Sequence, residues 1–129
     1  VDEGRTPLHL AARYGHAAVV ARVLSAKADP TMRDDSGATA LHAAALHGHE
    51  AVVARLLTAR AEIDPETNAG VTPLHLSALY GHKGTFLQLL TARANPEHTS
   101  ASGVTPLACT ELGKEEVSLR EQYLDMLAL

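Results

Sequence analysis

One short stretch recurs through this chain at a fixed interval. Gly4-Arg5-Thr6-Pro7-Leu8-His9 returns as Gly37-Ala38-Thr39-Ala40-Leu41-His42 and as Gly70-Val71-Thr72-Pro73-Leu74-His75. A decayed copy reads Gly103-Val104-Thr105-Pro106-Leu107-Ala108. The leading glycines are 33 residues apart each time. A repeat of that length limits the fold severely. Each unit is a single supersecondary piece that cannot bury its own apolar face, so neighbours must stack to make a continuous core. The chain is 46% hydrophobic but only 3% aromatic. The core therefore rests on Leu, Val and Ala, which suits small stacked units better than one globular centre.

Local chemistry defines the parts of a unit. Thr6 is a helix N-cap whose hydroxyl accepts an orphan backbone N–H. Pro7 then occupies the first helical position, where its missing N–H costs nothing. Leu8, Ala11 and Ala12 share a face at helical spacing. Gly15 stops the helix in a left-handed conformation, so a first helix is predicted from about Pro7 to Tyr14. Gly48 and Gly81 stop its counterparts. A second helix is predicted from about Ala17 to Ala26, with Val19, Val20, Val23 and Leu24 as its apolar set. Val52, Val53, Leu56 and Leu57 match them in the second unit, and Phe86, Leu89 and Leu90 in the third. In the third, Thr85 is polar and Gly84 weakens the helix by about 1 kcal/mol. Ala11/Ala12 and Ala44/Ala45 keep the helices close. Pro30, Pro65 and Pro96 interrupt any helix between units, and Gly37, Gly70 and Gly103 supply turns.

A 33-residue unit opening on Thr-Pro-Leu-His resembles the ankyrin repeat. The resemblance is strong through Arg93 and weak after Gly113. It implies an all-α ankyrin-repeat solenoid of helix-turn-helix units with β-hairpin-like connections. One domain is expected over residues 1–129, with repeats of about 1–33, 34–66, 67–99 and 100–129, the last divergent and cap-like. Two departures stand out. Lys27, Arg60 and Arg93 occupy the place where the family usually has glycine. A cation there complements the helix dipole by about 0.3–1 kcal/mol. Ala40 replaces the usual proline, a mild change. In unit four, a second helix is expected from about Glu115 to Ala128, with a polar face suited to the end of a stack. Unit one has only Ala17, Ala18 and Ala21 for cover, and the sequence starts at Val1 in mid-turn. It reads as a segment of a longer protein with further repeats upstream.

Composition excludes several functions. The net charge is −4 with no strongly basic stretch, which argues against nucleic acid as a partner. No apolar run approaches the roughly 20 residues of a membrane helix, so membrane insertion is not expected. No signal-peptide pattern is present. The single cysteine, Cys109, fits a reducing, intracellular compartment. A monomer is expected, with no cofactor.

The polar residues that catch the eye have structural readings. Six of the eight histidines recur once per unit: His9, His42, His75, and His16, His49, His82. They are placed to hydrogen-bond the backbone at the helix start and the neighbouring connection. His47-Gly48-His49-Glu50 is the one tight cluster, and Gly48 should make the two rings diverge, so no metal site is expected. Cys109 aligns with Leu10, Ala43 and Leu76, taken here as interior positions, so its thiol should be inert. Thr6, Thr72 and Thr105, each before a proline, read as caps and not as modification sites. No enzyme is expected, since a stack of this kind has no deep pocket.

What varies between units carries the functional information. Tyr14, His47 and Tyr80 occupy equivalent places, preceded by Arg13, Leu46 and Leu79, with Glu111 and Leu112 in unit four. In ankyrin-repeat proteins this row lines the concave groove and, with the hairpin tips, makes the usual partner contacts. The tips include Asp2, Glu3, Arg5, Asp35, Ala38, Val71 and Val104. The resemblance thus implies a partner-binding set of Arg5, Arg13, Tyr14, Asp35, Ala38, Leu46, His47, Val71, Leu79, Tyr80 and Val104. Tyr and Arg are enriched at interface hot spots. The expected function is protein–protein interaction with a protein or peptide partner. The alternative is a structural spacer or intramolecular domain of a larger enzyme or channel. Cations on the second helices (Arg22, Arg55) and acids on the connections (Glu62, Glu97) read as a solvated surface of weakly paired charges.

Overall fold

The computed structural model describes residues 4–106 and 109. Three helix pairs follow one another: α1 (Pro7–Arg13) and α2 (Ala17–Ser25), α3 (Ala40–His47) and α4 (Glu50–Thr58), α5 (Pro73–Leu79) and α6 (Lys83–Thr91). Among the described residues no strand is present. The helices α1, α3 and α5 stack side by side as an inner row, and α2, α4 and α6 as an outer row. This is the all-α solenoid that the repeat implied. Glu111, Leu112, Asp2, Glu3 and the helix expected from Glu115 to Ala128 lie outside the described residues.

Each inner helix begins with the same device. The hydroxyl of Thr6, Thr39 or Thr72 accepts from the backbone N–H three residues on, at His9, His42 or His75. The histidine returns the bond through Nδ1, which accepts from the threonine N–H at 3.0–3.1 Å. This is a capping box with imidazole in place of the usual carboxylate. The other ring nitrogen, Nε2, reaches the next connection, at Ala38 O (2.9 Å), Val71 O (2.8 Å) and Val104 O (2.8 Å). A carbonyl only accepts, so Nε2 carries the hydrogen and Nδ1 is the acceptor. One side chain therefore starts its own helix and ties it to the following unit.

A second set of histidines joins the helix ends. His49 Nε2 donates to Arg13 O at 3.0 Å, and His82 Nε2 to Leu46 O at 2.8 Å. Those carbonyls are among the unpaired ones at a helix C-terminus. The glycines make room for the rings. A Cβ at Gly48, in a left-handed conformation (φ +70°), would stand 2.5 Å from His82 Nδ1. The expected divergence of His47 and His49 does not occur: their rings are stacked, 5.8 Å apart and inclined by 28°. Gly48 folds the chain back at the end of α3, and the bond to Arg13 O holds His49 beside His47.

The connections form tight hairpins. Asp34, Thr67 and Ser100 each accept, through a side-chain oxygen, from the backbone N–H four residues on. Backbone bonds from Asn68 N to Ser36 O and from Ala101 N to Ala69 O (both 2.9 Å) link successive hairpins. Arg33 donates to Gly37 O in its own hairpin and to Glu66 O in the next.

Among the described residues the core is aliphatic apart from the Phe86 ring and the capping histidines. Leu8, Leu41 and Leu74 meet Val20, Val53, Leu56, Phe86 and Leu89 across the two rows, with Ala12, Ala44 and Ala45 fully covered. The structure refines four of these readings. The inner helices of units one and three end at Arg13 and Leu79, so Tyr14 and Tyr80 are C-caps. Val19 is 45% exposed while its counterpart Val52 is covered, because α4 lies between two outer helices and α2 has only one beside it. Thr85 is buried, occupying the place of the isosteric Val52. At Gly84 a Cβ would meet only the far end of the exposed Glu50 side chain, which can move aside.

Candidate interaction surface

The inner row leaves one face of each helix uncovered. Leu10, Arg13 and Tyr14 share that face of α1, since positions three and four apart lie together. Between units one and two the face deepens into a concavity of about 390 Å³. Its floor is apolar, from Ala38, Ala43, Leu46 and Leu76. Its unit-one wall carries Arg5 and Arg13, and His47 closes one side. Ser36 and Thr67 reach in from the hairpins, while the edges of His9 and His42 show through. A second hollow, of about 340 Å³, shares Ser36, Thr67 and Leu76 with the first and continues to Ala69 and Val71. Together they form one trough across three units.

Five of the expected contact residues, Arg5, Arg13, Ala38, Leu46 and His47, line the first hollow, and Val71 lines the second. Tyr14 and Tyr80 stand at the helix ends, 62% and 56% exposed, and Leu79 is 36% exposed. The Arg13 guanidinium lies 5.9 Å from the Tyr14 ring centre. Asp35 sits on its hairpin tip, with its carboxylate against Gly4. Val104 packs partly against the core. Ala38, Val71 and Val104 are also the carbonyl seats of His9, His42 and His75, so their backbones are fixed whatever their side chains touch.

Sequence reasoning missed Leu10, Ala43 and Leu76. They were read as interior, yet Leu10 is 37% exposed and the other two line the trough. The signal was available, because the spacing that places Arg13 and Tyr14 on the open face places Leu10 there too. Cys109, in the equivalent position, is itself buried, and burial pushes its thiol above the ordinary range. A protonated, covered thiol is a poor nucleophile.

The electrostatics follow from burial. Burial drives His42 down to about 4, against the opposing bond to Val71 O. His75 is lowered for the same reason. Desolvation, then His49, Arg13 and His82, keep His47 below the usual imidazole range. His42 and His47 are thus neutral at neutral pH, and Arg13 carries positive charge into the groove. On the hairpin, burial alone would raise Asp34, but bonds from the Ser36 hydroxyl and the Ala38 and Ser36 amides lower it overall. That carboxylate is committed to its own turn. Among the described residues no group of three or more His, Cys, Asp or Glu is arranged to hold a metal. No helix among them is long and apolar enough to cross a membrane.

A comparison with protein families agrees with this architecture. The model for ankyrin repeats (three copies) matches residues 1–68 and 19–100. Comparison with curated proteins found no match. Ankyrin repeats are generally protein–protein interaction modules and typically carry no catalysis. Threonine caps closed by histidine, paired helices and linked hairpins, together with a family match over residues 1–100, lead to one conclusion: the chain belongs to the ankyrin-repeat family.

Proposed function

We propose that this chain, as one ankyrin-repeat domain, binds a protein or peptide in its trough and against its hairpin tips, without catalysis. The observation that carries the reading is the trough itself. It is apolar at its floor and polar at its rim, and it spans three units whose relative positions are fixed by histidine–carbonyl bonds. A preformed surface loses little conformational entropy on docking, which is how a shallow face achieves useful affinity. The exposed Tyr14 and Tyr80 rings, with His47 between them in the repeat order, supply anchors at the helix ends. Arg13 and Leu79 flank the anchors. The net charge of −4 supports a protein partner over nucleic acid, and the lone buried cysteine fits a reducing compartment. The unit acts as a monomer and uses no cofactor.

Replacing Tyr14, His47 and Tyr80 together by Ala should abolish partner capture from lysate while leaving the helical CD signal intact. These side chains project outward and contribute little to the core. Undiminished capture by the folded triple variant would move the contact to the hairpin tips or the convex side.

A further inference from the structure

Resting on the trough as the binding face, we infer that its occupant is an extended peptide carrying a carboxylate side chain at one end and an aliphatic side chain about five or six residues away. The two ends of the trough differ in chemistry. The unit-one wall presents Arg5 and Arg13, and among the described residues no Asp or Glu lines either hollow. The far end, at Val71 and Leu76, is uncharged. This reverses the sign of the whole chain, which is net negative. A positive wall on an otherwise acidic molecule selects a negative group and repels a basic one.

Arg13 has the stronger claim to the contact. Its guanidinium is held 5.9 Å from the Tyr14 ring centre, so less rotamer freedom remains to be lost on pairing with a planar carboxylate. His47 is kept neutral by desolvation and by its neighbours, so Arg13 provides the discrimination. Asp34, the nearby acid, is occupied by Ser36 and Ala38 within its own turn.

The spacing follows from the architecture. From α1 to α5 there are two helix-to-helix steps of roughly 8–10 Å each. An extended peptide rises roughly 3.3 Å per residue, so roughly five or six residues separate the acidic end from the aliphatic end. The floor between them is lined by Ala38 and Ala43, which leaves room for side chains to descend into the trough.

The test is a selection of random displayed peptides of about a dozen residues on the full chain, counter-selected on the doubly substituted Leu46→Arg, Leu76→Arg variant. CD verifies that this variant is folded. Peptides that require the open trough should carry Asp or Glu about five or six residues from Leu, Ile or Val. A synthetic member of that set should weaken by about tenfold or more on Arg13→Glu, and a peptide with Lys in place of its acid should regain binding to that variant. Trough-dependent peptides with no acidic enrichment would overturn the inference and leave the trough as the binding face. Recovery of no trough-dependent peptide would overturn both. Dimerisation of the chain in sedimentation, abolished by the Leu46→Arg, Leu76→Arg pair, would make a second copy the occupant and also overturn the inference.

Discussion

His42 does three things with five ring atoms. It accepts from Thr39 N–H, donates to Val71 O and fills space between two units. All three require the neutral ring with its hydrogen on Nε2. Adding a proton to Nδ1 sets two donors against each other and charges a site that is 1% exposed. This is why the folded ring titrates near 4, below the value of about 6.5 for an unfolded histidine. Below pH 6.5 the unfolded chain then binds more protons than the folded one. The contribution of His42 is fully present above pH 6.5 and is lost as the pH falls toward 4. The loss between pH 7 and pH 5 should be about 2 kcal/mol. Urea unfolding followed by CD at both pH values measures it. The His42→Gln variant should be less stable at pH 7 by about 1–3 kcal/mol, through the unpaired Val71 carbonyl, and its stability should change less between the two. An equal pH slope in the variant would assign the titration elsewhere.

The outer helices end in an unusual way. At Lys27, Arg60 and Arg93 the backbone is left-handed, with φ of 68°, 63° and 75°. Each residue follows its helix C-cap, and its N–H bonds back to the carbonyl three residues earlier. Side chains with a Cβ pay roughly 1–2 kcal/mol for this conformation, and a cation at a helix C-terminus returns roughly 0.3–1 kcal/mol. The balance favours glycine. The Arg60→Gly variant, at an exposed position, should therefore gain about 0.5–1 kcal/mol in chemical denaturation. A loss would mean that the cation's interaction with the helix end outweighs the strain. The departure from glycine is visible in the sequence, and so is its partial compensation by a cation. The left-handed geometry itself belongs to the element, because it lets Ala61 N bond back to Leu56 O and close the end of α4.

At the scale of the molecule, stability passes through neighbours. Unit two contacts both of the other helix pairs, while units one and three are joined chiefly through it: α3 packs on α1 and α5, and α4 on α2 and α6. Its Leu41 is fully buried. Truncation to Ala should lower global stability by about 2–5 kcal/mol and reduce amide-exchange protection in all three helix pairs, as expected when a middle unit couples its neighbours. The exposed Val19→Ala change should leave exchange in unit three unaltered. Protection lost only within unit two after Leu41→Ala would show that the units open independently.

The sequence by itself determined the unit. Thr6, Pro7, Leu8 and Gly15 act over a few residues, through caps, helical spacing and a left-handed stop, and such rules need no knowledge of what lies across the interface. It also identified His9, His42 and His75 as structural residues, because whatever recurs once per unit serves the unit. Only the tertiary structure decided which surface faces outward. Leu10, Ala43 and Leu76 looked like core positions since they are apolar and lie in the middle of helices, yet they border the concave face. His47 and His49 looked divergent, yet they stack. Arg5 and Arg13 lie at opposite ends of α1, yet they share one wall. In each case the deciding fact is the position of a neighbouring unit, which a local pattern does not encode. A groove belongs to the stacking of helices, and so do the company and charge of the side chains that line it.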